Sequence, residues 1–298
     1  MTVAWKAQQE RGNRLMIGLM AWVARSLGRA VARALLFPVC LYYLIRSTEA
    51  NHALRQYYVR AQGRSPSWSD LFHHYYWFAS TILDRVYFLR GRFDRFAINI
   101  RGIDILDRAL RGGRGCLLLG SHLGSFEVVR AVGLSREHIE VKVLMDEKNA
   151  PLIRGLMHNL NPAVAGTVIQ VGGIDSMLRV QECLERGGVV GIMGDRLMSQ
   201  DQCVRCDFLG SPAPFPTGSM RLAHVTGAPV VLFFGLYRGG NRYEVQLELL
   251  GECIRMAPEQ PDEQIQRWIQ RYADRLAHYS REATDNWFNF YDFWQAPH

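Results

Sequence analysis

The sequence predicts an α/β fold, a mixed sheet with helices on both faces, preceded by an N-terminal helical segment that associates with a membrane. Three observations predict it. From Phe96 onward short apolar runs alternate with helix-length segments, the pattern of a sheet covered by helices. Two of the runs end abruptly in glycine followed by ionisable residues, Gly120-Ser-His122 and Gly194-Asp195-Arg196, as strands do where they deliver a site. The first third of the chain is instead helix-prone, aliphatic and basic. At 298 residues and 48% hydrophobic content the chain has ample material for a core.

The basic excess is N-terminal. Residues 1–115 hold 18 Lys or Arg against 7 acids, leaving 17 against 21 for the remainder. These cations are interleaved with long aliphatics and form no Lys/Arg run, which points to an anionic lipid surface and away from nucleic acid. From Leu15 to Ile45, Arg25, Arg29 and Arg33 recur every four residues and line one helical face. The longest stretch free of charge, Ala34 to Ile45, is twelve residues and contains Pro38, too short to cross ~30 Å of hydrocarbon as a helix. An in-plane amphipathic anchor is expected, with an ordinary surface helix as the alternative. No small-residue cleavage site follows the apolar run, which disfavours a signal peptide. Division at residue 92 gives an N-terminal membrane-associated helical region, 1–92, and an α/β domain, 93–298.

Ser65-Pro-Ser-Trp-Ser-Asp70 is a turn and cap cluster that starts a helix running to about Arg90. That helix carries His73, His74, Tyr75, Tyr76, Trp77 and Phe78, which either line a lipid-facing groove or pack against the anchor. Strands are expected at Ala97 to Ile100, Cys116 to Leu119, Ile139 to Leu144, Thr167 to Val171, Val189 to Met193, Val230 to Gly235 and Tyr243 to Leu249. Helices are expected at Ile103 to Leu110, Phe126 to Val132, Ala150 to Leu160, Ile174 to Glu185 and Gln264 to Glu282. The six cysteines are read as free thiols of a reducing compartment. Cys203 and Cys206 have zinc-like spacing, but no second ligand pair lies nearby, so no metal is expected.

The chemistry centres on Gly115 to Glu127. Cys116 to Leu119 suits a strand buried on both faces, and Gly120-Ser121 breaks it, so His122 lies just past a strand end. Gly124-Ser125 gives a second turn and a candidate N-cap, with Glu127 in the first turn that follows. Five residues apart, His122 and Glu127 share no helix face and meet only if Glu127 reaches back. A carboxylate on one imidazole nitrogen fixes the tautomer and leaves the other nitrogen as a base near neutral pH. The alternative is a buried histidine that caps a helix. Asp195 and Arg196 occupy the equivalent place after a later strand, either as site residues or as a surface ion pair. Phe208 to Gly218 is a Pro/Gly-rich loop that opens a helix at Thr217 or Gly218, whose backbone donors suit a phosphate or a developing oxyanion.

A His, four residues, then an acid; a Gly-Asp-Arg step after a later strand; and a Phe-x-Gly-x-Pro-Ala-x-Phe-Pro-x-Gly loop: in this order the set resembles the late acyltransferases of lipid A biosynthesis, within the lysophospholipid acyltransferase superfamily. The resemblance spans nearly the whole chain. It implies that superfamily's acyltransferase fold on the cytoplasmic face of the bacterial inner membrane, held peripherally or as a monotopic protein. The donor would be an acyl carrier protein thioester or acyl-CoA, with no cofactor. His122 matches the base and Glu127 its orienting acid; Ser125, Arg154, Asp195, Arg196, Phe215 and Gly218 are the implied substrate contacts. Ser125 and Phe126 stand where lipid A enzymes usually have Asn and Trp, and Arg196 where they have Gln. The tail Trp287-Phe-Asn-Phe-Tyr-Asp-Phe-Trp294 looks more like the acyltransferases of aryl polyene and xanthomonadin-type pigment pathways, so the acceptor is a lipid, a glycolipid or a pigment-type molecule. A serine hydrolase is disfavoured because Ser121 sits one position early for a nucleophile elbow. A catalytically inactive membrane-binding protein and a lipid hydrolase are the rival readings.

Overall fold

The computed structural model describes residues 18, 22–24, 26–129, 139–145, 155, 160–197, 201–257 and 259–295, with the side chains of 163 and 165 excepted. A seven-stranded mixed sheet in the order β1-β9-β8-β2-β5-β3-β4 organises it. Its strands are β1 (Ala97–Arg101), β2 (Cys116–Gly120), β3 (Val141–Met145), β4 (Val168–Gln170), β5 (Val189–Met193), β8 (Val230–Tyr237) and β9 (Arg242–Gly251). β2 runs parallel to β5 and β8, β3 parallel to β4 and β5, and β1 parallel to β9. Within this sheet, among the described residues, only β8 and β9 pair antiparallel, as a hairpin.

Burial follows the sequence pattern. β2 and β8, continuous apolar runs, are buried at every residue, as strands covered on both faces must be. Cys116 and Leu118 point into one hydrophobic cluster and Leu117 and Leu119 into the other, the period-two consequence of the pleat. One face is covered by α5 (Gly173–Glu185), α6 (Gly218–Thr226) and α7 (Pro261–Glu282). The other is covered by α1 (Arg29–Arg46), α3 (Trp68–Leu89) and α4 (Ile103–Leu110), while α2 (Thr48–Gln62) joins both clusters, Ala50 and Leu54 on this side and Tyr57, Tyr58 and Ala61 on the first. Residues up to 92 and from 93 onward thus differ along the chain but share a core.

The start of α3 shows how locally encoded an element can be. Ser67 Oγ accepts from the Asp70 backbone N–H (3.1 Å), while the Asp70 carboxylate accepts from the Ser67 backbone N–H (2.7 Å), a reciprocal capping box. Several aromatic side chains of α3 pack on other elements: the Tyr75 ring stacks on Phe290, Phe78 meets Phe288 edge to face, and Trp77 meets Tyr237 of β8.

Two expectations are corrected. The segment Phe208 to Gly218 is an antiparallel hairpin, β6 (Cys203–Phe208) with β7 (Ser211–Pro216), and not a loop. Pro212, Pro214 and Pro216 fall two apart, so their missing N–H groups lie on one edge and leave the ladder to Ser211, Ala213 and Phe215. Leu209 and Gly210, both at positive φ, make the two-residue turn whose twist suits a hairpin. On β6, Cys203 is exposed and Cys206 buried; three apart on a strand, they face opposite ways.

The second correction concerns α1. The arginines expected on a lipid-facing stripe turn inward. Arg29 forms a two-point ion pair with Asp84 of α3 (2.6 and 2.7 Å), and Tyr243 of β9 donates to the same carboxylate (2.8 Å). Arg33 bonds the Tyr237 hydroxyl and the Gly240 carbonyl, and Arg25 lies outside the described residues. A fully buried carboxylate such as Asp84 requires a cation, and α1 supplies it. The outward face of α1 is consequently apolar: Val31, Leu35, Phe37, Leu41, Tyr42 and Ile45 are each more than 40% exposed. Among the described residues no single helix is long and apolar enough to cross a membrane. α1 and α2, bent by 90° at their junction, reach that length and composition only as a pair.

Candidate active site

β2 and β5 are neighbours, parallel, and in register from Cys116 opposite Val189 to Gly120 opposite Met193. Each chain then runs two residues further, to His122 and Asp195. Equal overhangs on adjacent parallel strands bring the two side chains together: His122 Nδ1 lies 2.8 Å from Asp195 Oδ1. The other carboxylate oxygen, Oδ2, accepts from the backbone N–H of His122 (2.9 Å) and from the indole N–H of Trp287 (3.2 Å). Asp195 is 1% exposed and Trp287 fully buried, whereas the His122 side chain keeps 26% of its surface.

The loop between β2 and Phe126 is held from several sides. Gly120 accepts from the Tyr272 hydroxyl of α7 (2.9 Å). The His122 carbonyl accepts from the Phe288 N–H, Gly124 N–H donates to the Asn286 carbonyl, and Ser125 N–H to the Gly235 carbonyl of β8. Gly124 has φ of 74°, and a Cβ there would stand 2.0 Å from the Gly235 carbonyl oxygen, so both conformation and approach require glycine. Arg196 donates from Nη2 to the Phe288 carbonyl (2.6 Å), while its buried Nε finds no hydrogen-bond partner among the described residues.

Electrostatics favour a neutral imidazole. Burial lowers the His122 pKa below 6.5, Arg196 lowers it further, and Asp195 opposes both. Burial would raise the Asp195 carboxyl, but the charge and hydrogen bonds of His122, with Arg196 behind, hold it below the ordinary carboxylate range. An ionised Asp195 beside a neutral His122 receives Nδ1–H, which leaves Nε2 with a free lone pair. The pair can therefore take a proton from a hydroxyl at neutral pH.

The carboxylate that fixes the His122 ring is thus Asp195, where the sequence reading had Glu127. Glu127, 7% exposed, faces Arg85 of α3 (Nε to Oε1, 3.4 Å). It lies in a 3-10 turn, Phe126–Val128, that leads into α-helix at Val129; the rest of the helix expected over Phe126 to Val132 lies outside the described residues. Ser125 precedes that turn, buried, without a side-chain cap bond. Phe215, expected at the substrate, is fully buried among Phe208, Tyr272 and Phe293. A residue lining an open acyl channel keeps surface, and Phe215 has none, so it is a core residue. Gly218 opens α6 at an exposed position. Arg154 lies outside the described residues, as does most of the helix expected around it. Sequence reasoning missed Arg85, and it named Trp287 only as the start of the aromatic tail and not as a partner of Asp195. No group of three His, Cys, Asp or Glu among the described residues is arranged to hold a metal.

The family model for bacterial lipid A biosynthesis acyltransferases matches residues 80–295. A search of curated proteins finds no match to the chain. The family match begins within α3 and runs through His122, Asp195 and the aromatic tail, so the chain belongs to the bacterial lipid A biosynthesis acyltransferase family and is an acyltransferase.

Proposed function

We propose that the protein moves a fatty acyl group from the thioester of an acyl carrier protein or coenzyme A to a hydroxyl of a lipid, glycolipid or pigment-type acceptor, at the cytoplasmic face of the bacterial inner membrane. The observation that carries the reading is a largely buried histidine at a strand end, neutral by environment and pinned through Nδ1 by a buried carboxylate. Nε2 takes the proton of the acceptor hydroxyl as its oxygen attacks the thioester carbonyl carbon. The tetrahedral oxyanion collapses, the carbon–sulfur bond breaks, and the departing sulfur takes the proton back from the imidazolium. Arg196 suits the oxyanion as a part-exposed cation at the same strand end as Asp195, one residue beyond it. In this reading Asp195 does the orienting, and Glu127 faces Arg85. Incubating the detergent-solubilised protein with dodecanoyl-CoA or the dodecanoyl carrier-protein thioester and a bacterial total-lipid extract tests it. Mass spectrometry should find a lipid heavier by one dodecanoyl group, and His122→Ala should lower its formation by about 10² to 10⁴-fold. A folded His122→Ala protein with ordinary turnover sinks the reading.

The membrane part of the proposal draws its support from α1. With Arg29 spent on Asp84 and Arg33 on Tyr237, the helix turns an uncharged face outward from Ala30 to Ile45, before the exposed Arg46 that ends it. Such a face enters a bilayer by its apolar area, each fully buried leucine being worth about 1.5 to 3 kcal/mol. Leu35→Glu with Leu41→Glu should shift the protein from the membrane pellet to the supernatant, while high salt should leave the unaltered protein bound. Release of the unaltered protein by salt alone would assign its attachment to charge.

A further inference from the structure

We propose that Trp287 is a positioning residue for acyl transfer, acting through Asp195 on His122. The inference rests on the reading of His122 as the base, and extends it to a segment of the chain that touches no reacting atom.

The geometry has three parts. The Trp287 indole N–H occupies Asp195 Oδ2 together with the His122 backbone N–H, so the carboxylate has one oxygen fully engaged and the other left for the imidazole. Two donors on Oδ2 fix the rotation of the carboxyl group, and with it the line along which Oδ1 meets Nδ1. The residues beside Trp287 hold the histidine's own backbone: Leu123 pairs with Trp287 as an antiparallel bridge, and Phe288 N–H donates to the His122 carbonyl. Asn286, fully buried, ties this strap to the sheet by exchanging hydrogen bonds with both backbone groups of Tyr237 (2.7 and 3.1 Å). Both members of the pair, Asp195 and His122, are thus set by one short segment anchored to β8.

The assignment to the indole N–H, and not merely to the bulk of the ring, is what makes the idea testable. Trp287 packs against Tyr57, Phe208 and Phe293, and any residue that filled this space would serve a purely structural role. The N–H adds an electrostatic consequence. A carboxylate that loses a donor becomes more basic and attracts an imidazolium more strongly, so removing the N–H should raise the His122 titration midpoint. Among the described residues, the other charged and titratable groups facing the pair are Arg196, Arg85, Tyr272 and Tyr291, none of which Trp287→Phe replaces.

The experiment compares Trp287→Phe with Trp294→Phe in the full-length protein in detergent. Trp294 lies on the same tail and also donates its indole N–H, but to the Phe208 carbonyl (3.1 Å), so its variant loses an equivalent bond away from the pair. Imidazole nitrogen NMR follows the His122 midpoint, and dodecanoyl-CoA with a bacterial total-lipid extract gives kcat and KM. Trp287→Phe should move the midpoint up by about half a unit to one unit and lower kcat by about tenfold with KM held. Trp294→Phe should leave the midpoint in place. An unmoved midpoint and unchanged kcat in a folded Trp287→Phe protein overturn the proposal, and so does an equal shift in both variants, which would make the effect one of packing. If Trp287→Phe does not fold, the unaltered protein decides: the Trp287 indole N–H signal should titrate with the His122 midpoint, and a pH-invariant signal overturns the proposal. Failure of the underlying reading shows separately, as retained acyl transfer in His122→Ala.

Discussion

Asp195→Asn should lower kcat by about 10³ to 10⁴-fold, close to the loss of the base itself, although the two side chains are the same size. The reason lies in which oxygen is already taken. Oδ2 accepts from two N–H groups, those of the His122 backbone and the Trp287 indole, so the single oxygen of an asparagine must stand there. Its amide NH2 is then forced toward Nδ1, where it can only donate. The imidazole proton moves to Nε2, the nitrogen that has to be empty to accept the hydroxyl proton. Glu127→Gln should be much milder, because it weakens a contact to Arg85 and leaves the tautomer alone. In the unaltered enzyme kcat/KM should be level through neutrality and fall only below pH 6.5: the neutral histidine is the active form, and its pKa is lowered, chiefly by burial. Steady-state rates across pH for the three proteins check all of this, and an Asp195→Asn enzyme within tenfold of normal would remove Asp195 from the relay.

Asp84→Ala should cost about 3 to 5 kcal/mol of stability. Asp84 has no exposed side-chain surface, and burial pushes its carboxyl up from the ordinary value while Arg29 pulls it back. Deleting it leaves the Arg29 guanidinium with only the Gly240 carbonyl and takes the acceptor from the Tyr243 hydroxyl, and the part-buried charge is the larger penalty. The loss should centre on the attachment of α1. Replacing Arg29 and Asp84 together with leucine should recover much of it, since an apolar pair avoids the desolvation of both ions. Denaturant unfolding of the single and double variants measures the difference, and a single variant as stable as the unaltered protein would show that the ion pair holds nothing.

The two examples mark what the sequence could and could not disclose. β2, β5 and β8 were legible as strands because an unbroken apolar run bounded by glycine has few other uses, and α3 because its cap is written within four residues. His122 and Asp195 were each legible as strand-end residues. That they are partners was not, since it depends on β2 and β5 being neighbours in the sheet, and no local pattern states strand order. Glu127 was chosen because it is near in sequence; the partner that wins is nearer in space. The inward turn of Arg29 and Arg33 was hidden for the same reason. A period of four identifies a face of a helix, but whether that face meets lipid or protein is decided by Asp84 and Tyr237, far along the chain. Phe215 was misplaced because Pro212, Pro214 and Pro216 suggested a loop, whereas their period of two lets a two-stranded ribbon form.

The strap at Asn286 to Phe288 also bears on when the enzyme becomes active. The loop carrying His122 follows the sheet's central strand, yet its carbonyl, its Gly124 N–H and its acidic partner are all secured by residues near the other end of the chain. Contacts between segments so distant in sequence pay the largest loop-closure entropy and form late. Without the seated strap the His122 carbonyl loses its donor, Gly124 N–H its acceptor and Asp195 Oδ2 one of its two donors, so the geometry around the histidine is conditional on the tail.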